Sequence, residues 1–250
     1  VMVGNEKKTS RLSEQEKKNT AYHEAGHAVV GIKLENAEVV HKVTIIPRGE
    51  AGGYALMLPE EETYLQTKQD LLDRITGLLA GRVSEEITFN EVTTGAHNDF
   101  EKATKLARSM VTEYGMSSLG PVQYEISGGH TFLGRDYMTE KKFSDQVALE
   151  IDQEVRKIIN ECYEQGKNIL EENRTLLDLI AKHLIEVETL TREDIDDLLK
   201  TGQLTWWEKK KAKMAKEEQE LKEKLEQEEK EQQEEQVQNE LVQEKNGLEE

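Results

Sequence analysis

The chain has 250 residues, with 33 Lys and Arg against 51 Asp and Glu, a formal net charge of −18 and one cysteine. So acidic a chain lacks the cationic footprint that supplies most nucleic-acid affinity, which excludes nucleic acid as its main partner. A single Cys excludes a disulfide-stapled fold, and with no run of about 18 apolar residues and no signal pattern the polypeptide as given is expected to be soluble.

The acid is unevenly spread. Residues 208–250 hold 15 Glu and 9 Lys, with no aromatic and no Pro, a net of −6, so residues 1–207 carry −12. That body is long enough for a substantial core.

In chain order, Ser13 and Glu16 form an S-x-x-E capping box, and no strong helix breaker follows before Leu34, which predicts a long first helix. Val39, Val40, Val43, Ile45 and Ile46 form a β-branched run ending at Pro47-Arg48-Gly49. Tyr54 to Leu58 follows Gly52-Gly53, so a small antiparallel hairpin or sheet is expected. Leu71, Leu72, Ile75, Leu79, Val83 and Ile87 repeat at helical spacing, as do Phe100, Ala103, Leu106, Ala107, Met110, Val111 and Tyr114. Residues 115–143 are rich in glycine and read as a long loop. Phe143 to Arg174 carries the cleanest apolar stripe of the chain, with Cys162 on it as a buried structural thiol. Two shorter helices complete the body, one over Leu176 to Ile185 and one started by Thr191 with Asp194. After Trp206-Trp207 the sequence is helix-forming but sustains no heptads, giving a solvated charged helix, with a weak coiled coil as the alternative.

His23-Glu24-Ala25-Gly26-His27 is an H-E-x-x-H motif inside the first helix. Two histidines four residues apart lie on one face, so both imidazoles can ligate one zinc ion. Glu24 is then placed to take a proton from a zinc-bound water, as this motif does in metalloproteases. With six His in the chain, the pattern is expected by chance only about 0.02 times in such a composition. The surrounding residues are small or apolar, so the helix is read as buried, where two histidines and a carboxylate need a partner.

A catalytic zinc takes three protein ligands and leaves one position open. The extension H-E-x-x-H-x-x-G-x-x-H fails, because Val30 and Lys33 stand at its glycine and histidine positions. Asp99 is the best third candidate: it lies 4, 7 and 11 residues before Ala103, Leu106 and Met110 on an inward stripe, while Glu101, Lys102, Lys105 and Arg108 face outward. Its competing role is charge pairing at a helix start capped by Asn98. Glu85 and Glu86 are rival ligands, or groups that orient a histidine.

With these residues in hand, the chain resembles the peptidase domain of the FtsH family, the membrane-anchored, ATP-dependent AAA+ zinc metalloproteases. The matching segments are Thr20 to Val30, His41 to Gly49, Leu79 to Ile87, Thr93 to Asp99, Met110 to Gly115, Leu119 to Pro121, Phe132 to Asp136 and Ser144 to Val155. The resemblance implies His23, His27 and Asp99 as ligands of one Zn2+ per chain, Glu24 as the catalytic glutamate, and an outer role for Glu85 and Glu86. It also implies a mainly α domain with a small antiparallel β sheet, a homohexameric ring, and unfolded or membrane-protein substrates. ATP would be used by the full-length protein only, since no G-x-x-x-x-G-K-[ST] occurs here: Gly166-Lys167 is followed by Asn168. The membrane would be reached only through an N-terminal anchor missing from this sequence, with the domain on the cytoplasmic face of a bacterial cell membrane.

The expected organisation is residues 1–12 as the end of the ATPase module and linker, 13–203 as the zinc peptidase domain, and 204–250 as the charged tail. The leading expectation is a zinc endopeptidase. Its rivals are a non-catalytic helical scaffold with an acidic interaction tail and a metal-dependent hydrolase of small molecules.

Overall fold

The computed structural model describes residues 13–47, 52–58, 65–125 and 143–217, together with 219, 222 and 224. Expectations for residues 1–12, for the turn at 48–51, for 132–136 and for 225–250 lie outside the described residues. The chain divides into two units, 1–200 and 201–250.

In the first unit the capping box at Ser13 and Glu16 starts α1 (Glu14–Lys33), with Glu16 N–H donating to Ser13 Oγ at 3.2 Å and Ser13 N–H donating to Glu16 Oε2 at 2.8 Å. Strands β1 (Val39–Thr44) and β2 (Tyr54–Leu58) follow. Helix α2 (Lys68–Phe89) opens on a second capping box, Thr67 with Asp70. Asn90 closes it in the left-handed region at φ 52°, a conformation Asn tolerates better than most residues. A single 3₁₀ turn (Thr94–Ala96) leads into α3 (His97–Thr112). Then come α4 (Asp145–Glu172), α5 (Arg174–Val187), β3 (Thr189–Thr191) and α6 (Arg192–Thr201).

The described fold is mainly helical with a small antiparallel sheet, as expected. The sheet has one strand more than the hairpin read from the sequence, in the order β2-β1-β3. Thr189–Thr191 is too short to carry a period-2 signal, and what fixes it is tertiary. Thr44 pairs with Tyr54 on one side and Thr189 on the other. Its Oγ1 lies 2.7 Å from Thr189 Oγ1 and donates to Glu188 O at 3.1 Å. β2 has β1 on one edge only, so its other edge has no strand partner among the described residues.

Helix α2 is the central element, packed against α1, α3 and α4. Its inward residues Leu71, Ile75 and Leu79 join Ala103, Ala107, Met110 and Val111 of α3 and Ile151, Val155, Ile158 and Cys162 of α4 in one core. Tyr114, read on the α3 stripe, lies just past the helix end and is 53% exposed. Cys162 is a buried free thiol, with Sγ donating to Leu72 O at 3.6 Å. Burial pushes that thiol up to about 11.

On its other side α2 crosses α1 at very close range. A Cβ at Gly26 would stand 2.6 Å from both Ala80 O and Ser84 Cβ. Ser84 Oγ donates to Tyr22 O at 2.6 Å, sealing the crossing. In the second unit, residues 205–217 are helical and largely exposed, with Lys211–Glu208 and Lys213–Glu217 ion pairs at 3.0 and 3.6 Å. Opposite charges three and four residues apart support an exposed helix of this kind. Among the described residues no helix is long and apolar enough to cross a membrane.

Gly26→Ala puts a methyl group against a backbone oxygen that has no free rotation to escape it. It is expected to destabilise the fold by about 1–3 kcal/mol, the usual range for overpacking, as read by urea denaturation.

Candidate metal centre

The motif lies on the stretch of α1 that is buried from His23 to Gly31. His23 and His27 are each 8% exposed and Glu24 is 6% exposed, so all three polar side chains need internal partners. They have them. His23 Nδ1 meets Glu85 Oε1 at 2.7 Å, and His27 Nδ1 meets the Gly77 carbonyl at 2.7 Å. Both acceptors are on α2. A carbonyl can only accept, so Nδ1 of His27 carries the hydrogen. With Nδ1 engaged on each ring, the Nε2 atoms are turned toward one another, 3.2 Å apart. Asp99 Oδ2, from the first turn of α3, stands 3.4 Å from His23 Nε2 and 3.6 Å from His27 Nε2.

These distances suit one ion. Tetrahedral ligands bound at about 2.0–2.1 Å stand about 3.3–3.4 Å from each other, and two imidazoles with one carboxylate is a donor set zinc accepts. His23, His27 and Asp99 are the one group of three such side chains among the described residues whose donor atoms lie within 4.8 Å of one another. The three carboxylates in reach act on the protons. Burial alone would lower His23, but its bonds to Asp99 and Glu85 outweigh that and lift it to about 10. Burial likewise pushes Asp99 up, and the two imidazoles overcome it and hold the carboxyl well below the usual range. A dication would take the place of that proton, so metal binding at neutral pH releases it.

Glu24 differs from the other acids, because burial raises its carboxyl above the ordinary value. The imidazoles of His23 and His27, and after them the backbone N–H of Ala55 on β2, partly offset the effect. A Cβ at Gly53 would lie 2.9 Å from Glu24 Oε1 and 2.7 Å from Thr44 O. The bare backbone before β2 therefore lies directly against the glutamate.

The two rival glutamates separate cleanly. Glu85 is 2% exposed, holds His23, and accepts from Thr93 N–H at 2.8 Å and Thr93 Oγ1 at 3.0 Å. Burial would raise its carboxyl, but the bonds to His23 and Thr93 win and lower it. Glu86 turns away, accepting from Tyr163 Oη and lying 3.8 Å from Lys167 Nζ. The residue before α3 is Ala96, which makes no side-chain cap, and Asn98 sits inside the helix, so the Asn98 cap expected from the sequence does not form.

Gly81 carries a role the sequence reading did not assign. Its missing Cβ would stand 2.5 Å from His23 Nε2 and 2.6 Å from His27 Nε2, so the imidazole edges rest on bare α2 backbone. The available signal was a glycine inside an otherwise strong helix pattern, which is tolerated only for a reason such as close packing.

A buried helix bearing H-E-x-x-H, a carboxylate brought to it by a second helix, and a small sheet opening beside the glutamate together make a helical domain of the H-E-x-x-H class. Residues 10–198 match the model of peptidase family M41, and the chain belongs to that family. It is 62% identical over 208 residues to an ATP-dependent zinc metalloprotease FtsH of Acholeplasma laidlawii, covering 83% of this chain and 32% of that protein. With the protein of the same name from Bacillus subtilis it shares 58% over 206 residues, 82% of this chain and 32% of the relative. With FtsH 2 of Phytoplasma mali it shares 50% over 222 residues, 88% and 31%. The chain thus spans about a third of the length of these relatives.

Gly81→Ala is expected to lower zinc content to a small fraction of one ion per chain, because the new methyl occupies the space under both Nε2 atoms. Elemental analysis after dialysis, with circular dichroism as the check on folding, reads the result.

Proposed function

We propose that this chain is the zinc endopeptidase module of a longer, ATP-dependent, membrane-anchored protease, with His23, His27 and Asp99 as the ligands and Glu24 as the catalytic base. The observation that carries the reading is the convergence of two Nε2 atoms and one carboxylate oxygen within 3.2–3.6 Å, with Glu24 buried beside them.

A zinc ion held there supplies Lewis acidity, acidifying a water and polarising the scissile carbonyl. Glu24 accepts one proton from the attacking water at its carboxylate and delivers it to the leaving amide nitrogen as the C–N bond breaks. The water oxygen stays on the carbonyl carbon, and its second proton passes from the new carboxyl group to the new amine, giving a carboxylate and an ammonium group. Burial raises the Glu24 carboxyl above its ordinary value, the direction that helps a base act as an acid in turn. Glu85 keeps His23 turned so that Nε2 remains free for the metal.

The Ala55 N–H that bonds Glu24 supports a second part of the reading. β2, whose second edge has no strand partner among the described residues, lies beside the glutamate, and an extended substrate chain adds at that edge as a further strand. Main-chain pairing selects for an extended backbone more than for particular side chains, which favours unfolded protein as substrate. The module would work in a homohexamer, with folded substrates opened by the ATP-driven part of the longer protein and held at the cytoplasmic face of the membrane by its anchor. The names of the relatives support the ATP and zinc dependence.

Purified protein should carry about one zinc per chain and cleave casein without ATP, and a chelator should stop it. Glu24→Gln should retain the metal and lose cleavage by at least about 100-fold, the scale of a lost general base. Asp99→Ala should lose the metal while Glu86→Ala keeps it. Casein cleavage by Glu24→Gln at the parent rate would overturn the mechanism.

Met57→Pro removes an N–H from the same edge of β2 as that of Ala55, since alternate residues of a strand face one edge. It should leave zinc content intact and raise KM for casein more than it lowers kcat; unchanged kinetics would remove the strand from substrate binding.

A further inference from the structure

Three separate elements supply the centre: α1 gives the histidines, α2 the Glu85 brace, and the segment from Thr93 to α3 gives Asp99. One side chain, on α2 itself, touches both the Glu85 brace and the segment that carries Asp99. Arg82, one residue after Gly81 on α2, donates from Nη2 to Thr93 O. Its guanidinium carbon lies 4.9 Å from the centroid of the Phe100 ring. Its Nε is 3.6 Å from Glu85 Oε2, and that buried Nε has no hydrogen-bond partner among the described residues.

The contacts fall on either side of Asp99. Thr93 begins the turn that carries Asp99 in, and Phe100 is the residue directly after it. Ala96 gives α3 no side-chain cap, and the turn before it is fixed through Thr93, whose Oγ1 accepts from Gly95 N–H at 3.1 Å, so whatever holds Thr93 holds the entry of the helix. A planar guanidinium fixed to a carbonyl at one end and stacked on a ring at the other supplies two anchor points. The same group lies against the carboxylate that orients His23. An error of about 1 Å in a ligand's position is enough to degrade a built site.

We propose that Arg82 is a positioning residue of the metal centre: by holding Thr93, Phe100 and Glu85 together it fixes Asp99 and His23 at ligand distance from each other. The proposal rests on the ligand assignment made above. Arg82 touches neither substrate nor metal, so its removal acts on the geometry and affinity of the site rather than on the proton transfer.

The test is zinc affinity by chelator competition on the whole chain, with the visible absorption of the cobalt-substituted protein as a second reading. Arg82→Met keeps the aliphatic stem and removes the guanidinium. It should bind zinc about 10–100-fold more weakly, the range measured for groups that orient ligands, and should shift the cobalt bands. Arg82→Lys restores a charge near Glu85 but cannot both reach Thr93 O and stack on Phe100, so it should recover only part of the affinity. Parent affinity with unchanged cobalt bands in Arg82→Met, or full recovery in Arg82→Lys, would overturn the proposal. Should Arg82→Met fail to fold, Phe100→Leu removes only the ring, and a several-fold loss with shifted bands supports the role while no change in either refutes it. His27→Ala separates the two claims. If it binds zinc as tightly as the parent, the ligand assignment is wrong; if it loses zinc while Arg82→Met does not, only the role of Arg82 fails.

Discussion

The backbone-to-backbone approach of α1 and α2 is the constraint on which the rest of this protein depends. Gly26 on one helix and Gly81 on the other remove the side chains that would hold the axes apart. Two things follow from the same contact. The α2 groups Gly77 O and Glu85 come within hydrogen-bond range of the histidines, and the imidazole edges gain floor space on α2 itself. Packing and chemistry are therefore one requirement here, because a bulkier crossing would both loosen the helix pair and turn the rings away from their shared point.

The centre has a layered economy of charge. Buried acids usually face a choice between losing their proton at a cost and remaining neutral. Asp99 and Glu85 stay ionised because imidazole and backbone or hydroxyl donors surround them, while Glu24, held mainly by burial, moves the other way. Acids of similar intrinsic strength are thereby sorted into ionised and proton-retaining kinds by their neighbours, as carboxylate pairs in known active sites are.

Much of the scaffold was legible in the sequence because it rests on local signals. The box at Ser13 and Glu16, the 3.6-residue stripe of α4 and the spacing of Asp99 to Ala103 and Met110 all depend on chemistry within a few turns of one helix. Long-range pairings were not legible. The difference between Glu85 and Glu86 is a rotation of about 100° on α2, and only the position of α1 decides which of them meets His23. The three-residue β3 exists because Thr44 offers it a hydroxyl and a backbone partner 145 residues away. Ala55 and Arg82 make contacts between elements that nothing in their own neighbourhood along the chain announces, and for Gly81 the only local sign is a glycine inside a helix pattern.

Cys162 gives the molecule a property of another kind. The thiol is 2% exposed at the seam of α2 and α4, and its proton is held more tightly than in a free cysteine. In the folded chain it is both shielded and chemically slow, since only the thiolate reacts with disulfide reagents. Being the chain's one sulfhydryl, it turns any colorimetric thiol reagent into a clock for the separation of α2 from α4. Because α2 also floors the candidate metal centre, the rate of that clock with and without added metal would measure how far an ion there holds the hydrophobic core shut.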